Sequence, residues 1–312
     1  MPTDTQLDVV TGAFGYTGRY ITGMLLAAGR RVRTLTGHPH RPNPFGPGVH
    51  VARYAFEDSG ALRESLTGAR TLYNTYWIRY ERGATTFERA VRNSKALLRA
   101  AEEAGVRRVV HIGITKPEEG AERRLPYFVG KLAVERAIVE SESELSWAIV
   151  RPTVIFGRDD ILINNIAWLL RRFPVFAIPG DGRYEVRPVA VQDVARLAVE
   201  AGEADDRRIV DAVGPQAYAF EELVQLVRTA VRSRARLVHV PPAAALALSR
   251  FIGPVVRDRV LTADEMAGLM AGLVTTDGEA TGYTRFVDWL AEAGPALGKR
   301  YRSEIRRHYR PG

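Results

Sequence analysis

The chain contains no cysteine, which excludes disulfide staples, thiolate nucleophiles and cysteine-ligated metals and agrees with a reducing compartment. Lysine is nearly as scarce, limited to Lys95, Lys116, Lys131 and Lys299, so the positive charge is carried by arginine. Long apolar runs are missing as well. Asp4 and Asp8 interrupt the N-terminal stretch where a leader would lie. The most apolar later stretch, Pro241 to Val256, is broken by Ser249 and Arg250 and is too short to span a bilayer. A cytoplasmic protein without a membrane partner is expected. No internal repeat, low-complexity linker or metal-ligand motif is present, and no metal is expected. The net charge of +8 is spread along the chain, not gathered into one strip. The densest basic run, Lys299 to Arg310, is interrupted by Glu304 and reads as a solvated terminal helix, so no nucleic-acid partner is expected.

What is present is an ordinary globular balance, 46% hydrophobic and 26% charged, over 312 residues. That length exceeds a single core and suits one large α/β domain with an appended lobe. The stretch that organises the chain is Thr11 to Gly18, TGAFGYTG, which follows the apolar run at Leu7 to Val10 and precedes the helix-patterned Ile21 to Ala28. Strand, glycine-rich turn and helix in that order form the sequence signature of a dinucleotide site. The turn needs residues without Cβ, and a diphosphate must approach the backbone, where unpaired N–H groups and the positive end of a helix dipole receive it. Gly12, Phe14, Gly15, Tyr16, Thr17 and Gly18 are the expected cofactor contacts, with glycines in a G-x-x-G-x-x-G spacing that departs from G-x-G-x-x-G.

Arg31 to Thr36 reads as a second strand and runs into Gly37, His38, Pro39, His40 and Arg41, with no acidic residue between Asp8 and Glu57. An acid at the end of this strand would bind the adenosine ribose and favour NAD, whereas basic residues receive the 2′-phosphate of NADP. NADP is therefore the favoured cofactor, with NAD possible, and His38 and Arg41 are its expected partners. Strands follow at Val49 to Tyr54 and Thr71 to Thr75, the latter delivering Asn74 and Thr75 to the carboxyl edge where ligands of doubly wound sheets collect. Gly83 to Ala104 is helix-patterned, and Val106 to Ile114 is a near-continuous apolar strand suited to burial on both faces. His111, inside that strand, reads as a core or supporting histidine.

Past that strand stands Thr115, and then Tyr127 and Lys131 in Y-F-V-G-K, four apart at the start of the helix-patterned Phe128 to Glu140, hence on one helical face. A tyrosine that exchanges a proton near neutral pH must lose about 3 units from its usual pKa near 10, roughly 4 kcal/mol. An ammonium about 4 Å away supplies approximately that at an effective dielectric near 20. Tyr127 is thus the expected acid/base, Lys131 its pKa-lowering partner, and Thr115 the hydroxyl that orients a substrate oxygen.

The glycine turn together with this Tyr–Lys pair resembles the short-chain dehydrogenase/reductase superfamily, in particular its extended and atypical, epimerase/dehydratase-like members. The resemblance covers residues 7 to about 213. It implies a Rossmann-type doubly wound parallel sheet, Lys131 also on the nicotinamide ribose, and hydride transfer between the nicotinamide and a carbonyl or carbinol carbon of a small-molecule substrate. Oxidoreductase and epimerase chemistry are both open, as is a non-catalytic NAD(P)-binding role on the same fold. The family's usual serine near the end of the fifth strand is replaced by Gly113. The R-P-x-x-x-F-G segment from Arg151 looks like the loop that runs beside the nicotinamide, which places Pro152 and Thr153 among the cofactor contacts. In sugar-nucleotide enzymes of this kind an arginine near the return strand holds the substrate diphosphate, and Arg183 and Arg187 lie near enough to be candidates. The implied division is a dinucleotide-binding core at 1–155 and 183–214, and a smaller, mainly helical substrate lobe at 156–182 and 215–312. Asp193 is read as the cap of a helix over Val189 to Ala201, and the apolar helix Ile161 to Phe173 needs cover from the lobe, a partner or an apolar ligand. The assembly is expected to be a monomer or a homodimer.

Overall fold

A computed structural model describes residues 6–115 and 125–309. In chain order the first elements are β1 (Leu7–Thr11), α1 (Tyr16–Ala27), β2 (Arg31–Thr36), β3 (Val49–Arg53), α2 (Ser59–Glu64), β4 (Ala69–Asn74), α3 (Phe87–Glu103) and β5 (Arg108–Ile112). There follow α4 (Pro126–Val139), β6 (Ser146–Pro152), β7 (Ile155–Phe156), α5 (Leu162–Arg172), β8 (Val175–Pro179), β9 (Glu185–Val186), β10 (Val189–Ala190) and α6 (Val191–Glu203). The last are β11 (Arg208–Ala212), β12 (Tyr218–Ala219), α7 (Phe220–Ala230), β13 (Arg236–Val240), α8 (Pro242–Val256), α9 (Ala263–Met270) and α10 (Phe286–Ala293). None of the helices among the described residues is long and apolar enough to cross a membrane.

The chain divides into two compact units, one formed mainly by the chain through Arg151 with Val194–Asp211, the other by Pro152–Asp193 and Ala212–Arg310. The first is the α/β Rossmann-like unit. Its seven-stranded sheet has the order β11-β6-β5-β4-β1-β2-β3. β1 pairs in parallel with both β2 and β4. The chain winds outward from β1 to β3, then returns to β4 on the other side of β1, and this reversal opens a crevice at the carboxyl ends of β1 and β4. Every residue of β5 is buried, as a parallel strand covered on both faces requires.

Local chemistry sets the element ends. α3 begins at Phe87, later than the helical pattern alone suggests, because the Thr86 hydroxyl caps it by accepting the Arg89 N–H. Gly105 takes φ +71° and the Val106 N–H bonds back to the Ala101 carbonyl, so Val106 belongs to the end of α3 and β5 starts at Arg108. Pro126 opens α4 at its first position, where its missing N–H costs nothing, and Tyr127 thereby enters the helix.

The second unit has its own core, built from Phe156, Ile163, Ile166 and Leu170 against Leu223, Val224, Val227, Phe286 and Leu290. It also carries three two-stranded pairings, β10 with β7, β12 with β9 and β13 with β8. The cover α5 needs comes from the chain itself. Asn164 donates to the Arg300 carbonyl at 2.9 Å, Asn165 both donates to and accepts from Arg302, and Trp168 meets the Tyr301 ring edge-on at 5.3 Å. Asp193 lies in the first turn of α6, and its carboxylate accepts the N–H groups of Tyr283 and Thr284. The basic terminal run is engaged too: Arg302 pairs with Asp159 at 3.1 Å and Arg307 donates to the Asp159 carbonyl, while Arg310 lies outside the described residues.

Candidate functional site

The turn between β1 and α1 closes on one carbonyl. Gly12, at φ +66°, lets the chain leave β1, and its oxygen accepts the Gly15 N–H at 2.7 Å. A Cβ at Gly15 would lie 3.0 Å from that oxygen, and one at Gly18 only 2.3 Å from it. Gly18 is therefore obligatory, since a side chain there would collide with backbone that cannot yield. Gly15 precedes α1 and its side-chain-free position leaves the helix without a side-chain cap, so the N-terminal end of α1, with its backbone N–H groups and the positive end of its dipole, lies at the crevice. This arrangement fits a dinucleotide diphosphate. Phe14 is half-buried beside the turn, and Tyr16 stands edge-on to Tyr20.

The neighbouring strand ends are stitched together. The Thr11 hydroxyl accepts the Thr75 N–H at 2.7 Å and donates to Asn74 Oδ1 at 3.3 Å, and the Thr75 hydroxyl returns a bond to the Thr11 carbonyl. Thr75 Oγ1 lies 3.5 Å from where a Gly12 Cβ would be, which puts it against the turn. Asn74 Nδ2 faces His111 Nδ1 at 3.2 Å, both fully buried. Burial and the Lys131 charge push the His111 pKa well below its ordinary value. The ring is therefore neutral, and its Nδ1 accepts the Asn74 amide proton. Both residues thus brace the site. Beyond β2, the Thr36 hydroxyl accepts the His38 N–H, and the His38 carbonyl accepts the Arg41 N–H. Arg41 is half-buried on that loop, and burial lowers its pKa from the usual guanidinium value.

On α4, Tyr127 and Lys131 share one indole. The Tyr127 ring meets Trp77 edge-on at 6.1 Å, and Lys131 Nζ lies 5.1 Å from the Trp77 ring centre. Gly130 makes room for that indole, since a Cβ there would lie 2.8 Å from it. Lys131 Nζ donates to the carbonyls of Ile112 at 2.9 Å and Gly113 at 3.3 Å, which anchors α4 to the end of β5, two residues before the fully buried Thr115. Burial lowers the Lys131 pKa to about 8, against an opposing pull from Glu135.

The position where the serine was sought is filled from elsewhere. A Cβ at Gly113 would lie 2.3 Å from Glu135 Oε1, so the missing side chain makes space for a carboxylate from α4. Glu135 is 2% exposed; its Oε2 accepts from Arg151 Nε at 2.9 Å and Nη2 at 2.6 Å, while Oε1 has no hydrogen-bond partner among the described residues. Sequence reasoning missed Glu135 and Arg151. The available signal was the spacing of four from Lys131 to Glu135, which puts both on one helical face.

In the second unit, the Thr153 hydroxyl bonds the Arg187 and Ala212 carbonyls and its N–H donates to Ala212, while Pro152 closes β6. Arg187 donates to the carbonyls of Gly214, Thr276 and Gly278, so it serves as an internal strut. Arg183 bonds through its backbone N–H to the Asp181 carboxylate. Among the described residues no group of three or more histidine, aspartate or glutamate side chains is arranged to hold a metal ion.

The family model described as NAD(P)H-binding matches residues 12–204. The (4-alkanoyl-5-oxo-2,5-dihydrofuran-3-yl)methyl phosphate reductase of Streptomyces griseus subsp. griseus is 29% identical over 299 residues, covering 93% of this chain and 98% of that protein. The triphenylmethane reductase of Citrobacter sp., solved with NADP(H), superposes with a TM-score of 0.71 at 18% identity over 92% of this chain and 99% of its own. MoeE5, solved with UDP-glucose and NAD, gives a TM-score of 0.62 at 24% identity over 76% of this chain and 85% of its own.

Proposed function

This chain belongs to the NAD(P)H-binding family, and on that premise we propose that it is an NADP(H)-dependent reductase of a small-molecule carbonyl compound. The observation that carries the proposal is the glycine turn, in which a Cβ on Gly18 would lie only 2.3 Å from the Gly12 carbonyl oxygen, so that only glycine fits there. Gly12, Gly15 and the first-turn N–H groups of α1 would hold the diphosphate, with Phe14, Tyr16 and Thr17 flanking it. His38 and Arg41 would take the 2′-phosphate. Asn74, Thr75, Pro152 and Thr153 are the remaining proposed contacts. When bound, the reduced nicotinamide supplies a hydride. The likeness to a reductase over nearly the full length of both chains favours net reduction over epimerisation.

In this reading the chain's own residues manage the proton. Tyr127 Oη gives a proton to the substrate oxygen as that oxygen becomes a hydroxyl, and the Thr115 hydroxyl orients the same oxygen. The Lys131 ammonium favours the tyrosinate left behind. It is itself fixed by the Ile112 and Gly113 carbonyls, so it exerts this pull without first paying the cost of being ordered. Trp77 and Phe87 exclude water from one side of Tyr127. Tyr127→Phe is expected to lower kcat by at least about a hundredfold while leaving the NADPH Kd within about twofold. The check is NADPH oxidation with a panel of carbonyl compounds beside calorimetric titration of the cofactor. Retained turnover would remove Tyr127 from the role. A second reading, an NAD(P)-binding protein without chemistry, is favoured by one observation: the place sought for the serine holds the Glu135 carboxylate. Tight NADPH binding with no turnover of any carbonyl in the panel would select it.

A further inference from the structure

α8 leaves half of its surface uncovered. Leu248, Phe251 and Val255 are 48%, 79% and 78% exposed, and their spacing puts them along one edge of the helix. Ala247 and Pro254, both exposed, continue the apolar strip, and beyond them lie Arg250 on the helix and Arg257 at its C-cap. Neither guanidinium has an ion-pair or side-chain hydrogen-bond partner among the described residues. The charge pattern around the helix is one-sided. No aspartate or glutamate occurs between Glu222 and Asp258, whereas Arg228, Arg232, Arg234, Arg236, Arg250 and Arg257 all do.

From this juxtaposition we propose that the exposed half of α8 docks on an anionic lipid surface, with Leu248, Phe251 and Val255 among the upper acyl carbons and Arg250 and Arg257 at the phosphate level. Large apolar side chains that project from one edge of a helix, bordered by unpaired arginine, have the pattern of an interfacial helix. The stretch is too short to cross a bilayer and suits its surface. A second copy of the chain is the poorer occupant. A two-fold contact through α8 would bring arginine against arginine, with no carboxylate in the segment to answer either. A bilayer rich in phosphate headgroups supplies both the apolar medium and the opposite charge.

The test is flotation of the full chain with vesicles of phosphatidylcholine alone and of phosphatidylcholine mixed with phosphatidylglycerol, at low and high salt. The wild type is expected to float with the mixed vesicles and to be released by salt. Phe251→Glu with Val255→Glu should weaken that binding at least about tenfold. Arg250→Glu with Arg257→Glu should abolish the preference for anionic lipid. Unchanged thermal midpoints and NADPH affinity would show that both variants fold. Three outcomes would overturn the proposal. One is the absence of flotation with either vesicle. Another is equal flotation of the Phe251/Val255 variant. The third is retention on immobilised polyglutamate, or a dimer split by that variant, without flotation, which would assign the face to an acidic polypeptide or to a second copy.

Discussion

Gly113 is a single missing side chain with three dependents. Its absent Cβ gives Glu135 Oε1 room, Glu135 Oε2 fixes Arg151, and its carbonyl accepts from Lys131. Restoring a side chain there is expected to harm the protein. Gly113→Ala would place Cβ 2.3 Å from Oε1 and 3.2 Å from Ile149 Cγ2, and the carboxylate cannot withdraw without breaking its bond to Arg151. The expected cost is about 2 to 3 kcal/mol in urea unfolding, in the range of an overpacked core. A neutral result would mean that Glu135 is free to move. Lys131 makes a second claim at this scale. Its folded pKa of about 8 lies below the 10.5 of an unfolded lysine, because burial disfavours the ammonium. Between those values the unfolded chain binds more protons, so stability should rise with pH from about 8 to about 10.5, and the gain should be gone once pH has fallen back to about 8, below which both states carry the proton. The gain is on the order of 3 kcal/mol. Denaturant unfolding at pH 8 and pH 10 should show this slope in the wild type and a flatter one in Lys131→Met, the difference isolating Lys131 from other titrating groups. Equal slopes would place the ammonium in water.

At the level of elements, α5 illustrates how a helix apolar nearly all round is accommodated. Its two asparagines hold the segment from Gly298 to Arg302 as a strand would, with Asn165 exchanging both an N–H and a carbonyl bond with Arg302. Asn165→Ala would leave two part-buried backbone groups unpaired, costing about 2 kcal/mol. Hydrogen exchange should then speed up across residues 298–305, and unchanged protection there would show that packing of Trp168 on Tyr301 suffices. Such pairing also marks what was legible in the sequence. β2 ends where its residues say, at Arg31 and Thr36, since it is a short β-rich run with its own boundaries. β8 was not visible, because Val175–Pro179 is recognisable as a strand only beside β13, some sixty residues later in the chain. The two-residue strands are set by their partners in the same way. At the site, the glycine turn declared itself because strand, turn and helix are contiguous. The Glu135 carboxylate did not, because the space it fills belongs to β5 and its clamp, Arg151, to β6. A void left by one segment and occupied by another has no local signature.

Taken whole, the molecule carries a net charge of +8, and the stretch between Asp8 and Glu57, which contains the glycine turn and the His38–Arg41 loop, has no carboxylate. A ligand with an additional phosphate therefore meets attraction both from one guanidinium and from the general field. The two contributions separate by experiment. A charge-assisted contact is worth about 1.5 to 3 kcal/mol, so Arg41→Ala should reduce the preference for NADPH over NADH by roughly 10- to 100-fold. The general field acts over the screening length, about 10 Å at 0.1 M salt, and Arg41→Ala leaves most of it in place. Raising salt from about 0.05 M to about 0.5 M should thus weaken NADPH more than NADH in the wild type, and still do so, by less, in the variant. Ligand-linked stability gives an independent readout. NADPH at about 100 times its Kd should add about 2.7 kcal/mol to the folded state and raise the thermal midpoint by several degrees. Equal midpoint shifts from NADPH and NADH at equal concentration, unchanged in Arg41→Ala, would detach this loop from cofactor choice while leaving the glycine turn as the diphosphate site. Shifts from neither would remove the turn from that role as well.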